Sequence, residues 1–130
     1  MSTNDEVINQ LQTVIFQLKN NSNQQIDVQE LHKIEAELEN ILPQIQFELT
    51  NARMESNWEQ AQQLSEASQE CQNALNSVRS AIIRSTIIGI NQDNLTEMQK
   101  ILDEVKAASK TQQRINIIIS SLRFVKRILG

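Results

Sequence analysis

The stretch KAASKTQQR (106–114) decides how many helices this chain has. It is polar, it separates two amphipathic stretches, and it contains neither Gly nor Pro. Nothing in it stops a helix by local chemistry. The spacing therefore predicts one long fourth helix running to the C-terminus, bent or weakened at 106–114. A turn there, giving five helices, is the alternative.

Both flanks read as helical. Before the stretch, Leu95, Met98, Leu102 and Val105 recur at helical spacing behind the breaker GINQDN (89–94), with Asn94 as the expected cap. After it, RINIIISSLRFVKRILG (114–130) holds nine large apolar residues, four Arg or Lys and no acid. At about 100° per residue, Ile115, Ile118, Ile119, Leu122, Val125 and Leu129 form the main stripe. Ile117, Phe124 and Ile128 form a second stripe, and Arg123 and Arg127 occupy the remaining side.

The rest of the chain extends the all-α reading. Its 130 residues suit a single domain, 1–130, and one Pro and two Gly leave little turn chemistry. The first helix starts near Thr3, where TNDE has capping-box spacing, and buries Val7, Ile8, Leu11, Val14, Ile15 and Leu18. The second starts at Asp27 and carries Leu31, Ile34, Leu38, Ile41, Ile45 and Leu49. Pro43 lies inside it and is expected to kink or split it. The third starts near Ser56, in SNWE, with Leu64, Ala67, Cys71, Ala74, Val78 and Ala81 on one face. The expected fold is an up-down-up-down four-helix bundle with a short first helix and a kinked second one.

A self-comparison at an offset of 67 residues lays 7–38 over 74–105. Glu30/Glu97, Lys33/Lys100, Ile34/Ile101 and Glu37/Glu104 are identical there. This predicts a duplicated hairpin with pseudo-two-fold symmetry and repeat halves 1–55 and 56–130. Residues 56–73 then lack a counterpart, which leaves three helices (44–55, 56–72 and 111–129) at the lower end.

That gap suggests what covers the second stripe. The expectation is a docking surface of Phe47, Ile117, Phe124 and Ile128, edged by Arg123 and Arg127. A second copy or a protein partner supplies the covering helix. The competing expectation is that the C-terminal helix sits centrally and touches helices on two sides. Charge adds a further feature: residues 1–104 hold 16 acids and six bases, net −10, while 105–130 hold six bases and no acid. Pairing with Glu48, Glu55, Glu59, Glu66 and Glu70 accounts for the basic end, and a basic amphipathic helix on an anionic membrane is the alternative. Sparse, confined bases with few aromatics argue against nucleic acid.

Candidate chemistry is thin. There is no Gly-rich phosphate loop, no paired E-x-x-H string for two metals, and one histidine. No cofactor, metal or small-molecule substrate is expected. Cys71, the single cysteine, falls on a small-residue core stripe and reads as a structural thiol. His32, in HKIEA (32–36), resembles the phosphoacceptor setting H-x-L-K-G of the histidine phosphotransfer domains, which are four-helix bundles. Glu35 and Ala36 stand where that family has lysine and glycine, and Glu35 would repel a phosphoryl group. No apolar run approaches the ~20 residues of a membrane span, and no signal peptide is evident, so a cytoplasmic setting is expected. The sequence reads as a non-enzymatic interaction module: an adaptor, regulatory subunit or inhibitor that self-associates through its C-terminal helix.

Overall fold

The computed structural model describes residues 3–21 and 23–130, with Thr3 given by its backbone alone. Among them are five helices: α1 (Thr3–Lys19), α2 (Val28–Met54), α3 (Trp58–Ile83), α4 (Gln92–Ala107) and α5 (Thr111–Leu129). Two two-residue strands, β1 (Gln25–Ile26) and β2 (Ile88–Gly89), pair antiparallel between the loops that follow α1 and α3. The chain is all-helical in class.

The stripes expected of α1, α2 and α3 are all buried. Pro43 lies within α2 and does not split it. Asp27 caps α2, its carboxylate accepting from the Glu30 N–H at 2.9 Å. The cap expected from Thr3 lies outside the described side chains.

Two expected caps move. Asn57, not Ser56, caps α3 and accepts from the Gln60 N–H. Ser56 is already engaged in ending α2: it adopts left-handed φ 58°, its N–H donates to the Arg53 carbonyl, and the Asn57 N–H reaches back to Ala52. Asn91, not Asn94, caps α4; the two side chains bond each other's backbone N–H reciprocally at 2.8 and 3.0 Å.

The Asn91 cap also shifts the correspondence between the halves. Lys19 and Ile83 end helices 64 residues apart, and Asp27 and Asn91 cap helices at the same separation. The strand pair is symmetric at that offset, with Gln25 opposite Gly89 and Ile26 opposite Ile88. The Ile90 N–H donates to the Gln24 carbonyl at 2.8 Å. Landmarks thus align at 64 residues rather than 67.

The main correction concerns the fourth helix. α4 stops at Ala107, Ala108 is extended (φ −74°, ψ 123°), and α5 restarts after Lys110 (φ −103°, ψ 147°). The chain reverses here rather than bending. Glu97 of α4 pairs with Arg127 near the far end of α5, so α4 and α5 are antiparallel. Along α3 and α5 the partners rise together: Glu59 with Gln112, Glu66 with Arg123, Glu70 with Lys126. α5 therefore runs parallel to α3, back up the molecule.

α3 packs between α2 and α5, α1 packs on α2 and α5, and α4 lies against α1 and α5. Four helices thus form a ring of neighbours, α1–α2–α3–α5, with α4 laid on one of its edges. α4 accordingly buries only Met98, Ile101 and Leu102, while Leu95 and Val105 are half-buried.

Candidate interaction surface

α5 has three neighbours, and that explains its surplus of apolar residues. Its main stripe is buried, and so are Ile117, at 7% exposure, and Phe124, at 1%. Ile128 is half-buried against the core. On the helix, the second stripe lies between two sets of contacts. To one side, Ser120 and Arg127 share a crevice with Glu97, Lys100, Ile101 and Glu104 of α4. To the other, Arg114 pairs with Asp5 of α1. The chain itself covers this stripe, so Ile117, Phe124 and Ile128 are not a free docking surface. The cause is the reversal at 108–110, which folds α5 into the ring where a continuous helix would have extended from it.

The basic residues are engaged internally. Arg123 pairs with Glu66 and lies 3.7 Å from Glu70; Lys126 lies 3.6 Å from the same Glu70 carboxylate. Arg127 pairs with Glu97, and its guanidinium sits 5.9 Å from the Phe124 ring centroid. Glu66 and Glu70 serve as expected. Glu97 and Asp5 were not anticipated, because a descending helix would not have met them.

Phe47 is the member of the expected set that does face solvent, at 58% exposure. It stands opposite the α2 core stripe, and Pro43 does not rotate it inward. Met54, seven residues on, falls on the same outer face and is 78% exposed. Trp58, at 65%, begins α3 after the three-residue turn Glu55–Asn57, on the side opposite the Ala67–Cys71 stripe. These three large apolar side chains gather at the α2–α3 end of the molecule. Met54 was missed, although its i+7 spacing from Phe47 was the available signal. Phe16 is exposed on the outer side of α1, and Ile83 and Ile87 at the opposite end.

The chemical candidates separate clearly. Cys71 is fully buried, its Sγ 3.7 Å from the Leu38 carbonyl oxygen, and burial pushes its thiol pKa up to about 12. His32 is exposed on α2, with Nδ1 3.6 Å from Glu35. The Glu35 carboxylate also accepts from Arg79 Nε at 3.2 Å, so an acid beside the imidazole is fixed in place. The largest depression, about 890 Å³, is an open trough along α4 walled by Lys19, Leu95, Gln99, Lys100 and Asp103. Among the described residues, no three His, Cys, Asp or Glu side chains are grouped to hold a metal ion, and no helix is long and apolar enough to cross a membrane.

No family model matches this chain, and no curated protein or solved structure shows significant similarity to it.

Proposed function

We propose that the chain is a non-enzymatic helical protein-interaction module whose contact face is the outer side of α2 with the α2–α3 turn. The observation that carries this reading is the exposure of Phe47, Met54 and Trp58 at one end of an otherwise polar surface. Large aromatic and thioether side chains held on rigid helices are the anchors that interfaces favour. Ordering the partner against them costs little, because the helices are already formed. Glu48, Glu55 and Glu59 flank the face, with Arg53 the one base among them. The partner is accordingly a protein with an apolar cleft and a basic rim.

A photo-crosslinking residue placed at Phe47 or Trp58 tests this in cells that make the protein. Both positions should yield one discrete crosslinked protein, and Asn76, on the polar outer face of α3, should not. Crosslinks that are absent at both positions, or equal at Asn76, would refute the reading. A product of twice 14.9 kDa would identify the partner as a second copy.

We further propose that the halves 1–55 and 56–130 descend from one duplicated hairpin. At the 64-residue offset, Leu11/Leu75, Val14/Val78, Ile26/Ile90, Leu31/Leu95 and Leu38/Leu102 are identical, and all but Leu95 are buried. Sequences of relatives should show their halves most alike at that offset. A maximum at 67, or none, counts against it.

A further inference from the structure

We infer that α5 exchanges between two copies of this chain, the reversal at Ala108–Lys110 opening so that α4 and α5 join into one helix. The inference goes beyond the α2 face and does not depend on it.

The first observation is how the reversal is made. α2 and α3 end in closures written into their own backbones. Ser56 and Ser85 take left-handed φ of 58° and 52°, and the next N–H in each case reaches back to the last turn, Asn57 to Ala52 and Thr86 to Ala81. α4 has no such closure. Ala108 is extended, no residue from 107 to 111 has positive φ, and the single turn bond, from the Ala108 N–H to Val105, is 3.4 Å. Lys110 offers no side-chain acceptor to cap α5; only the Gln113 side chain reaches back, accepting from the Ser109 and Lys110 N–H groups at 3.1 Å. Ala107, Ala108, Ser109 and Lys110 include no helix breaker.

The local sequence therefore favours a helix through 106–114, and tertiary packing of α5 holds it broken. That packing is strong: nine of the 19 residues of α5 are buried, including Phe124. It is also indifferent to which chain supplies α5. If 108–110 become helical, Gln92–Leu129 forms one rod of about 57 Å at 1.5 Å per residue. α5 then projects from its own body and bares both apolar stripes. A second copy in the same state supplies the cover, since each body receives the other's α5 between α1, α3 and α4. Every contact of the closed monomer is kept, the turn is replaced by continuous helix, and the exchange closes with two-fold symmetry. The second copy is the occupant because only its α5 carries Arg114, Arg123, Lys126 and Arg127 at the spacing that meets Asp5, Glu66, Glu70 and Glu97.

The test uses full-length chain in which Cys71→Ala is combined with Glu97→Cys and Arg127→Cys, refolded at millimolar and at micromolar concentration. The dimer is isolated by size exclusion and treated with a short bismaleimide. In an exchanged dimer the two cysteines facing each other belong to different chains, so denaturing gels show a covalent dimer. In the monomer, and in a dimer formed face to face, the bridge stays within one chain. Two further variants set the direction. Three glycines inserted between Ala108 and Ser109 relax the turn and should lower the dimer fraction roughly tenfold; deleting 108–110 forces continuity and should make the dimer dominant. No dimer on refolding at millimolar concentration, a dimer bridged only within chains, or a dimer fraction indifferent to the glycine insertion would each overturn the inference. The glycine arm still decides the matter if the deletion variant does not fold.

Discussion

The fate of Phe124 is the sharpest test of where α5 lies. The ring is 1% exposed and belongs to the contiguous core. Truncating a buried phenylalanine to alanine removes its transfer free energy and leaves a cavity, a cost of about 3–5 kcal/mol. The Arg127 guanidinium above the ring adds little, since that arginine is well exposed and keeps its bond to Glu97. Domains of this size are stable by about 5–15 kcal/mol, so Phe124→Ala should remain folded while losing a large share of that margin. The thermal midpoint should fall by on the order of 10–20 °C. Phe47→Ala, on the solvent side of α2, should change stability by no more than about 0.5 kcal/mol. Urea unfolding of both variants, followed by circular dichroism with the slope unchanged from the parent, provides the comparison. Phe124→Asp, which a surface position would tolerate, buries a carboxylate and should abolish folding. If Phe124→Ala costs less than about 1 kcal/mol, or if Phe47→Ala costs more than Phe124→Ala, the placement of α5 between α1, α3 and α4 is wrong.

The buried Cys71 thiol should resist iodoacetamide at pH 8 in the native state and react once urea is added; native labelling at the denatured rate would contradict its burial. Because its pKa is raised to about 12, the unfolded chain ionises at lower pH than the folded one, so stability should decline as pH rises through about 9 towards 12. Cys71→Ala should flatten that decline, and an unaltered alkaline limb would count against the thiol as its cause. Arg123, Lys126 and Arg127 are half-exposed and paired with acids, so each pair contributes only about 0–1 kcal/mol, and the protein should not sediment with phosphatidylserine vesicles at physiological salt. Salt-sensitive sedimentation, lost on Arg123→Gln with Arg127→Gln, would instead make α5 a membrane contact. His32 should take no acid-labile label from acetyl phosphate or phosphorylated receiver domains, since Glu35 sits beside it; labelling at His32 would reopen the phosphotransfer resemblance.

Three helices were legible because each carries one stripe at one period. Val7 to Leu18, Leu31 to Leu49 and Leu64 to Ala81 each lie against the ring's centre, and one buried face is what periodicity reports. The caps were legible only to within a few residues. Ser56 and Asn57 both suit the cap, as do Asn91 and Asn94, and the choice depends on which residue the preceding turn consumes. The break at 108–110 was not legible at all. Ala, Ser and Lys there are compatible with a helix, and the structure breaks it because α5 gains more by packing between three neighbours than the turn costs.

Phe47 and Phe124 pose the same problem in sequence and receive opposite answers. Each lies far off the main stripe of its helix, and a helical wheel gives the angle of a side chain without saying what stands at that angle. The number of neighbours decides. α2 is held by α1 and α3, which leaves its far side, with Phe47 and Met54, to solvent. α5 is held by α1, α3 and α4, so only the arc carrying Asn116, Arg123 and Arg127 remains outside. An off-stripe aromatic therefore signals a contact site only once the helix's own neighbours are counted. By that criterion the search for a partner belongs on α2 and Trp58, and the apolar residues of α5 bear on association only through a route that opens the turn.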